Sequence, residues 1–193
     1  MRRTNKERTD ATRGALLDAA RGLFTDKGYA DTATPDIVAA AGVTRGALYH
    51  HFEDKRQVFR AVIEREAARL AEEIRSAADD VTGPRAAMIS GTSAYFSAMA
   101  VPGRTRLLLI DGPAVLGFDT MRALDLAGAE ASLREGVAEL LGNDDGSDAR
   151  DVEAAASLLS AAFDRAALEI DAGGDPAVYQ AAVVKLIDGL TRR

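Results

Sequence analysis

Along almost the whole chain, apolar positions recur at intervals of three and four, the spacing of one helix face rather than the alternation of a strand. Over residues 10–27, Leu16, Leu17, Ala20, Leu23 and Phe24 make one stripe, with Thr9 placed to cap its start. Gly28 stands where a left-handed C-terminal cap is wanted, and Tyr29 can fold back onto Phe24. A short helix follows, with Thr34 as the expected N-cap and Pro35 at the first helical position, where the N–H would be unpaired anyway. Ile37, Val38 and Ala41 supply its buried face, and Gly42 ends it. Thr44 caps a third helix over 45–52, with Leu48 and Phe52 inward and Arg45, Gly46, Tyr49 and His50 outward. Asp54 caps a fourth, with Gln57 in capping-box register, and Val58, Phe59, Val62, Ile63, Leu70 and Ile74 carry it to about residue 78.

Residues 79–84 break the pattern. Beyond them the spacing predicts helices over 84–99, over 104–111 with an interruption at Gly112-Pro113, and over 118–141. Two more close the chain, over 149–172 and 176–192. The acidic stretch 143–148 lacks the spacing and distal glutamate of a calcium loop and reads as a solvated connector. The expectation is an all-α protein of about nine helices. Residues 1–60 would form a three-helix domain with a basic arm over 1–9, and residues 61–193 a second helical domain.

Composition supports that reading. Apolar residues make 47% and charged residues 28% of the chain, a globular balance, and 39 alanines favour helix over strand. Cysteine is absent, which removes disulfides and thiolate metal sites. The two histidines, His50 and His51, are neighbours that cannot face each other on a helix, so no metal and no cofactor is expected. No apolar run nears the roughly 18 residues of a membrane span. The first ten residues hold charge without an apolar stretch, so no signal peptide and no membrane partner is expected, and the cytoplasm is the expected compartment. There is no Gly-rich phosphate loop, no Gly-x-Ser-x-Gly elbow and no metal-binding histidine spacing, so no enzymatic activity is expected.

Charge changes the picture once it is divided. The chain carries −6 overall, yet residues 1–60 hold 11 basic and 8 acidic residues, or +3, leaving −9 for the rest. A basic head on an acidic body points to a polyanion partner for the head. The second and third helices, joined by a tight turn at Gly42-Val43, make a helix-turn-helix, whose second helix enters a major groove with its N-terminal half near base edges. Gly46 permits close approach, and Arg45 can reach guanine O6 and N7. Thr34, Thr44, Tyr49 and Lys55 are groups that hold phosphates. His50 and His51 are natural donors beside that surface, His51 having packing at the helix junction as its other reading. Arg2, Arg3, Lys6 and Arg8 would be a minor-groove arm or a solvated tail.

The ordered run from Phe24 to Tyr29, then Thr34 to Phe52 with Lys55, resembles the signature of the tetracycline-repressor (TetR) family. The resemblance implies an all-helical homodimer that binds double-stranded, near-palindromic operator DNA through the N-terminal domain. Arg45 and Gly46 would read bases, Thr34, Thr44, Tyr49, His51 and Lys55 would hold the backbone, and His50 would do either. Ala33 departs from the pattern, since the family often has a second hydroxyl there. The larger domain would bind a small apolar or amphipathic ligand that releases the DNA, with the protein acting as a repressor. Met88, Tyr95, Phe96, Met99, Phe118, Met121 and Phe163 are the candidate pocket residues, with Arg122, Arg165 and Asp119 as candidate polar groups. The last two helices carry a double stripe of small and aliphatic residues, and the family pairs them with their copies in a four-helix bundle. Ala162 and Ala166 stand near its expected centre. The competing reading is a helical small-molecule-binding protein or enzyme with a non-functional helix-turn-helix.

Overall fold

The computed structural model describes residues 4–79, 81–142 and 149–190, and among them it contains helices and no strand. Helix α1 spans Asn5–Asp31 and starts earlier than expected, because Thr4 rather than Thr9 caps it. The Glu7 N–H donates to the Thr4 hydroxyl at 3.2 Å, and the Thr4 N–H donates to Glu7 Oε2 at 2.8 Å, a complete capping box. Lys6 and Arg8 are therefore helical residues rather than parts of an arm. Arg2 and Arg3 lie outside the described residues. At Gly28 the backbone turns to φ +82°, ψ 168°, a kink rather than the expected left-handed cap. A side chain there would meet the Arg106 guanidinium. The extra turn after the kink lays Tyr29 on Phe24, ring centroids 5.9 Å apart.

Helix α2 spans Thr34–Ala41 and α3 spans Arg45–His51. Thr34 is the first helical residue and not the cap. Ala33 takes that place, its N–H donating to Asp36 Oδ2 at 3.4 Å. Thr44 caps α3 as expected, accepting from the Ala47 N–H at 3.1 Å. Helix α4, Lys55–Asp79, is capped by Asp54, which accepts the Gln57 N–H at 2.7 Å. Gln57 Oε1 reaches one residue further back than a capping box, to the Glu53 N–H at 3.1 Å. The first four helices close over Leu16, Leu17, Ala20, Phe24, Ile37, Leu48, Phe52, Val58, Phe59, Val62 and Ile63, all buried.

Helix α5 spans Pro84–Met99. The next segment, α6, runs as Arg104–Arg106, a π-turn over Leu107–Asp111, and Gly112–Leu116. It passes through Gly112-Pro113, where the sequence predicted an interruption. Proline has no N–H and its ring strikes the carbonyl four residues back. The wide turn, in which the Gly112 N–H donates to the Leu107 carbonyl five residues back, absorbs that mismatch. The single helix predicted over 118–141 is two, α7 Phe118–Leu126 and α8 Ala129–Leu141, parted at Ala127-Gly128. Gly128 there leaves the helical region, at φ −124° and ψ −111°, and a Cβ on it would press on the Leu124 carbonyl at 3.2 Å. Helices α9, Ala149–Asp171, and α10, Pro176–Leu190, close the fold, giving ten helices among the described residues. The connector 143–148 lies outside them. Helix α4 is unbroken through residue 60 and is shared, packing on α1 at one end and on α5 and α8 further along.

Candidate functional site

Helix α3 buries Leu48 and turns Thr44, Arg45, Gly46, Tyr49 and His50 outward, as the spacing predicts. Arg45 and Tyr49, one turn apart, form a stacked pair. The guanidinium carbon lies 5.4 Å from the ring centroid, and Nη2 is 3.5 Å from the phenol oxygen. The pair presents a guanidinium and a hydroxyl at the exposed end of the helix. Thr34 is half-buried at the start of α2, on the same head. His51 is half-buried between α3 and α1. Its pKa is lowered, first by burial, then by the charges of His50 and Arg13, so it is neutral at neutral pH and keeps one donor and one acceptor. Lys55 sits further in than expected. Its Nζ donates to the Tyr29 carbonyl at 2.8 Å and the Ala30 carbonyl at 3.3 Å, 4.3 Å from the Tyr29 ring centroid. In this state the ammonium ties α4 to the end of α1.

Thr32 escaped the sequence reading. Its buried hydroxyl donates across the kink to the Gly28 carbonyl at 2.8 Å, with the Leu23 carbonyl at 3.2 Å, and so ties the last turn of α1 back onto the helix before the kink.

Behind the head stands a buried charge cluster that the sequence also did not single out. Glu66 of α4 is fully buried. Its oxygens meet Arg21 of α1 at 3.1 Å, Arg69 at 3.1 Å and Arg104 of α6 at 3.2 Å. Burial pushes its pKa up, but the Arg104 hydrogen bond and the Arg21 charge outweigh that and hold it below its ordinary value. Arg104 also clamps Glu73 with two bonds of 2.9 and 3.1 Å and donates to the Ala98 carbonyl at 2.9 Å. Two further links run from the head to α6 and the turn before it. Arg21 donates to the Pro102 carbonyl at 3.1 Å, and Arg56 donates to the Val115 and Leu116 carbonyls at 3.3 Å each. The Thr25 side chain lies hard against Gly103 at φ +77°, a contact and a conformation that only glycine allows.

The body holds a cavity of about 840 Å³ that opens to solvent. Six of the seven candidate pocket residues line it: Met88, Tyr95, Met99, Phe118, Met121 and Phe163. Phe96 does not. One position after Tyr95 on α5, it is rotated off the cavity and backs Tyr95 and Phe163, ring centroids 5.4 and 5.7 Å away. Phe118 is 70% exposed and stands at the mouth. Of the candidate polar groups Arg122 lines the cavity, whereas Asp119 and Arg165 do not, Arg165 being paired with Glu169 on the surface. Polar groups of the wall include Thr92, Asp125, Glu130, Ser160 and Asp164, and the sequence reading missed the three carboxylates because acidic residues at helical spacing read as solvated faces. Leu108, Leu109 and Pro113 of α6 form part of the same wall.

Helices α9 and α10 turn Ala156, Leu159, Phe163, Ala166, Val183 and Ile187 into their own protomer. Ala166 is therefore not available to a second copy, contrary to the place at the dimer contact expected for it from the sequence, while Ala162 is half-buried. The large apolar side chains left exposed are Leu158 at 73%, Val178 and Leu186. No helix among the described residues is long and apolar enough to cross a membrane.

Residues 16–62 match the model for bacterial regulatory proteins of the tetR family, and residues 85–193 match the tetracyclin repressor-like C-terminal domain. The HTH-type transcriptional repressor BepR of Brucella suis is 46% identical over 65 residues, covering 34% of this chain and 31% of its own. The matched part is thus about a third of that curated relative. A TetR-family transcriptional regulator from Pectobacterium atrosepticum, a solved structure, is 33% identical, covers 98% of this chain and 96% of its own, and superposes with a TM-score of 0.72. FadR of Bacillus subtilis, solved in complex with stearoyl-CoA, shares the fold with a TM-score of 0.75 at 16% identity over 90% of this chain and 96% of its own.

Proposed function

The chain belongs to the TetR family of bacterial transcriptional regulators, and on that premise we propose that it is a ligand-responsive repressor that binds a near-palindromic operator as a homodimer. The observation that carries this reading is α6. One side of it walls the cavity with Leu108, Leu109 and Pro113, while its Arg104 and its Val115 and Leu116 carbonyls are bound to α4. A ligand that displaces α6 therefore pulls on the helices that hold α3. By linkage, ligand then weakens operator binding by the factor with which operator weakens ligand binding.

Residues 1–60 serve as the DNA-binding head and 61–193 as the ligand-binding and dimerising body. Arg45 swings from Tyr49 to a base edge, Gly46 admits the helix to the groove, and Thr34, Thr44 and Tyr49 hold phosphates. His50 is exposed beside them, and His51 donates to the backbone through one ring nitrogen. Lys55 offers a phosphate the proton not bound to the α1 carbonyls. The dimer forms through α9 and α10 around Leu158, Val178 and Leu186, so Leu158→Glu is expected to give monomers in sedimentation and to lose operator binding with α3 untouched.

Selection of DNA from a random pool by the purified protein tests the reading. A two-fold-related motif is expected, with binding that weakens steeply as salt rises. Arg45→Ala is expected to relax one position in each half-site and to cost about 1–3 kcal/mol there. Recovery of no motif would favour the competing reading of a binding protein with an idle head.

A further inference from the structure

The cavity wall is mostly apolar, with Leu70, Met88, Met99, Leu133 and Phe163 among its residues, yet three carboxylates converge on it from three helices. Asp125 comes from α7, Glu130 from α8 and Asp164 from α9. Glu130 is only 8% exposed. The hydroxyl of Tyr95 donates to Asp164 Oδ1 at 2.9 Å, and Ser160 donates to Asp125 Oδ2 at 3.3 Å. Asp125 also bonds Glu130, accepting from its backbone N–H and meeting its carboxyl group, a contact between two carboxyl groups that requires one proton. None of these partners of Asp125 and Asp164 is a cation. The two arginines of the wall, Arg75 and Arg122, are exposed, and Arg75 is bound to Glu72 outside. Neither acts on Asp125 or Asp164, and the remaining charged residues of the wall, Glu135 and Glu139, are acidic too.

We propose that the cavity is built for a lipophilic cation, an apolar body with one positive centre seated against Asp125, Glu130 and Asp164. The proposal rests on the reading of this cavity as the effector site. Buried charge without a partner is costly, and an incoming cation removes that cost. The rings of Tyr95 and Phe163, centroids 5.1 Å apart, add faces that attract a cation. An anionic ligand would meet three carboxylates, and a neutral one would leave them uncompensated. A bare metal ion fits poorly, since the walls are apolar and no group of metal ligands occurs among the described residues. The electrostatics agree. The Asp164 pKa is pushed up to about 6, chiefly by burial, with the Tyr95 hydrogen bond opposing the rise and the charges of Asp125 and Glu130 adding to it. Cation binding then expels a proton near and below that pH.

The test uses two ions of nearly the same size and shape and opposite charge, tetraphenylphosphonium and tetraphenylborate, titrated calorimetrically into the full-length protein. The phosphonium is expected to bind and the borate not. Glu130→Gln and Asp164→Asn, which keep shape and hydrogen-bonding capacity, are each expected to weaken phosphonium binding by roughly tenfold or more, with unchanged circular dichroism. Wild-type affinity is expected to fall between about pH 7.5 and pH 5 as Asp164 takes its proton. Borate binding as tight as phosphonium binding, binding of neither ion, or variants that bind the phosphonium as wild type does would each overturn the proposal. Operator binding is measured separately on the same samples. Phosphonium binding without operator binding would refute the repressor reading alone, and operator binding with borate preference would refute the cation proposal alone.

Discussion

Two aromatic triads show how differently the head and the body use the same packing. In the head, Phe24, Tyr29 and Phe59 meet with centroids 5.0–5.9 Å apart inside a core whose aliphatic neighbours are fully buried. In the body, Tyr95, Phe96 and Phe163 meet at 5.1–5.7 Å, but two of them face open space, and the third only braces them. The head spends its apolar residues on rigidity, which fixes the pose of a short helix that must present Arg45 and Gly46 accurately. The body leaves a void and holds uncompensated carboxylates around it, both of which lower stability, and thereby gains a state that a ligand can improve. Rigid reader and unsatisfied receiver are the two parts a switch requires. Glu66, shared by Arg21 of the head and Arg104 of the body, is where they meet.

Removing that joint is expected to have the largest effect. Glu66→Leu leaves Arg21 and Arg104 without their buried carboxylate and is expected to cost about 3–5 kcal/mol in urea denaturation. The pH dependence has a definite sign. A carboxylate whose folded pKa is depressed stabilises above its ordinary value of 4.5 and loses that contribution as pH falls through the folded value. Wild type is therefore expected to lose this part of its stability only in acid, and Glu66→Leu to show a correspondingly flatter acid limb. A cost below about 1 kcal/mol would mean that solvent already screens the cluster.

Next in size comes a matched pair of truncations. Phe24→Ala opens a void in a packed core and is expected to cost about 3–5 kcal/mol, whereas Met121→Ala removes a side chain that already borders space and is expected to cost about 1 kcal/mol or less. Equal costs in the same urea series would show that the cavity collapses when empty and would erase the contrast between the two regions.

The smallest expected effect is a gain. Asp164 has a raised folded pKa, so its charge opposes folding above about pH 6, and this penalty fades as pH falls toward the ordinary aspartate value. Asp164→Asn, whose amide oxygen still accepts from Tyr95, is expected to raise stability by about 1–2 kcal/mol near pH 7.5 and by almost nothing near pH 4. Stability curves at the two pH values check this. A loss at both would mean that the carboxylate is satisfied in the empty cavity.

The head was largely legible in the sequence because its determinants are local. Thr44, Gly42 and Asp54 act on residues within a few positions of themselves, and the stripe Leu16 to Phe24 needs only one partner surface. Thr34 and Thr9 were misplaced by one register and one turn because a cap depends on which neighbour reaches back, Asp36 to Ala33 and Glu7 to Thr4. The body was legible in outline only. A π-turn at Leu107–Asp111 and a break at Gly128 depend on what packs alongside, and the pattern of apolar residues continues across both. The pocket followed the same rule. Met and aromatic residues announced it, but Asp125, Glu130 and Asp164 lie on three helices and acquire meaning only when the fold brings them together. Ala166 was read as outward because a helix stripe does not say which of two buried surfaces it serves.

The coupling between the two regions is tested most directly by a reciprocal titration. Operator affinity is measured by fluorescence anisotropy at increasing tetraphenylphosphonium, and phosphonium affinity by calorimetry with and without saturating operator. Both affinities are expected to fall, by the same factor, within the range of roughly 5–150-fold, and Glu66→Gln is expected to shrink that factor while each ligand still binds alone. Operator and phosphonium affinities that stay unchanged in each other's presence would contradict the coupling through Glu66 and α6.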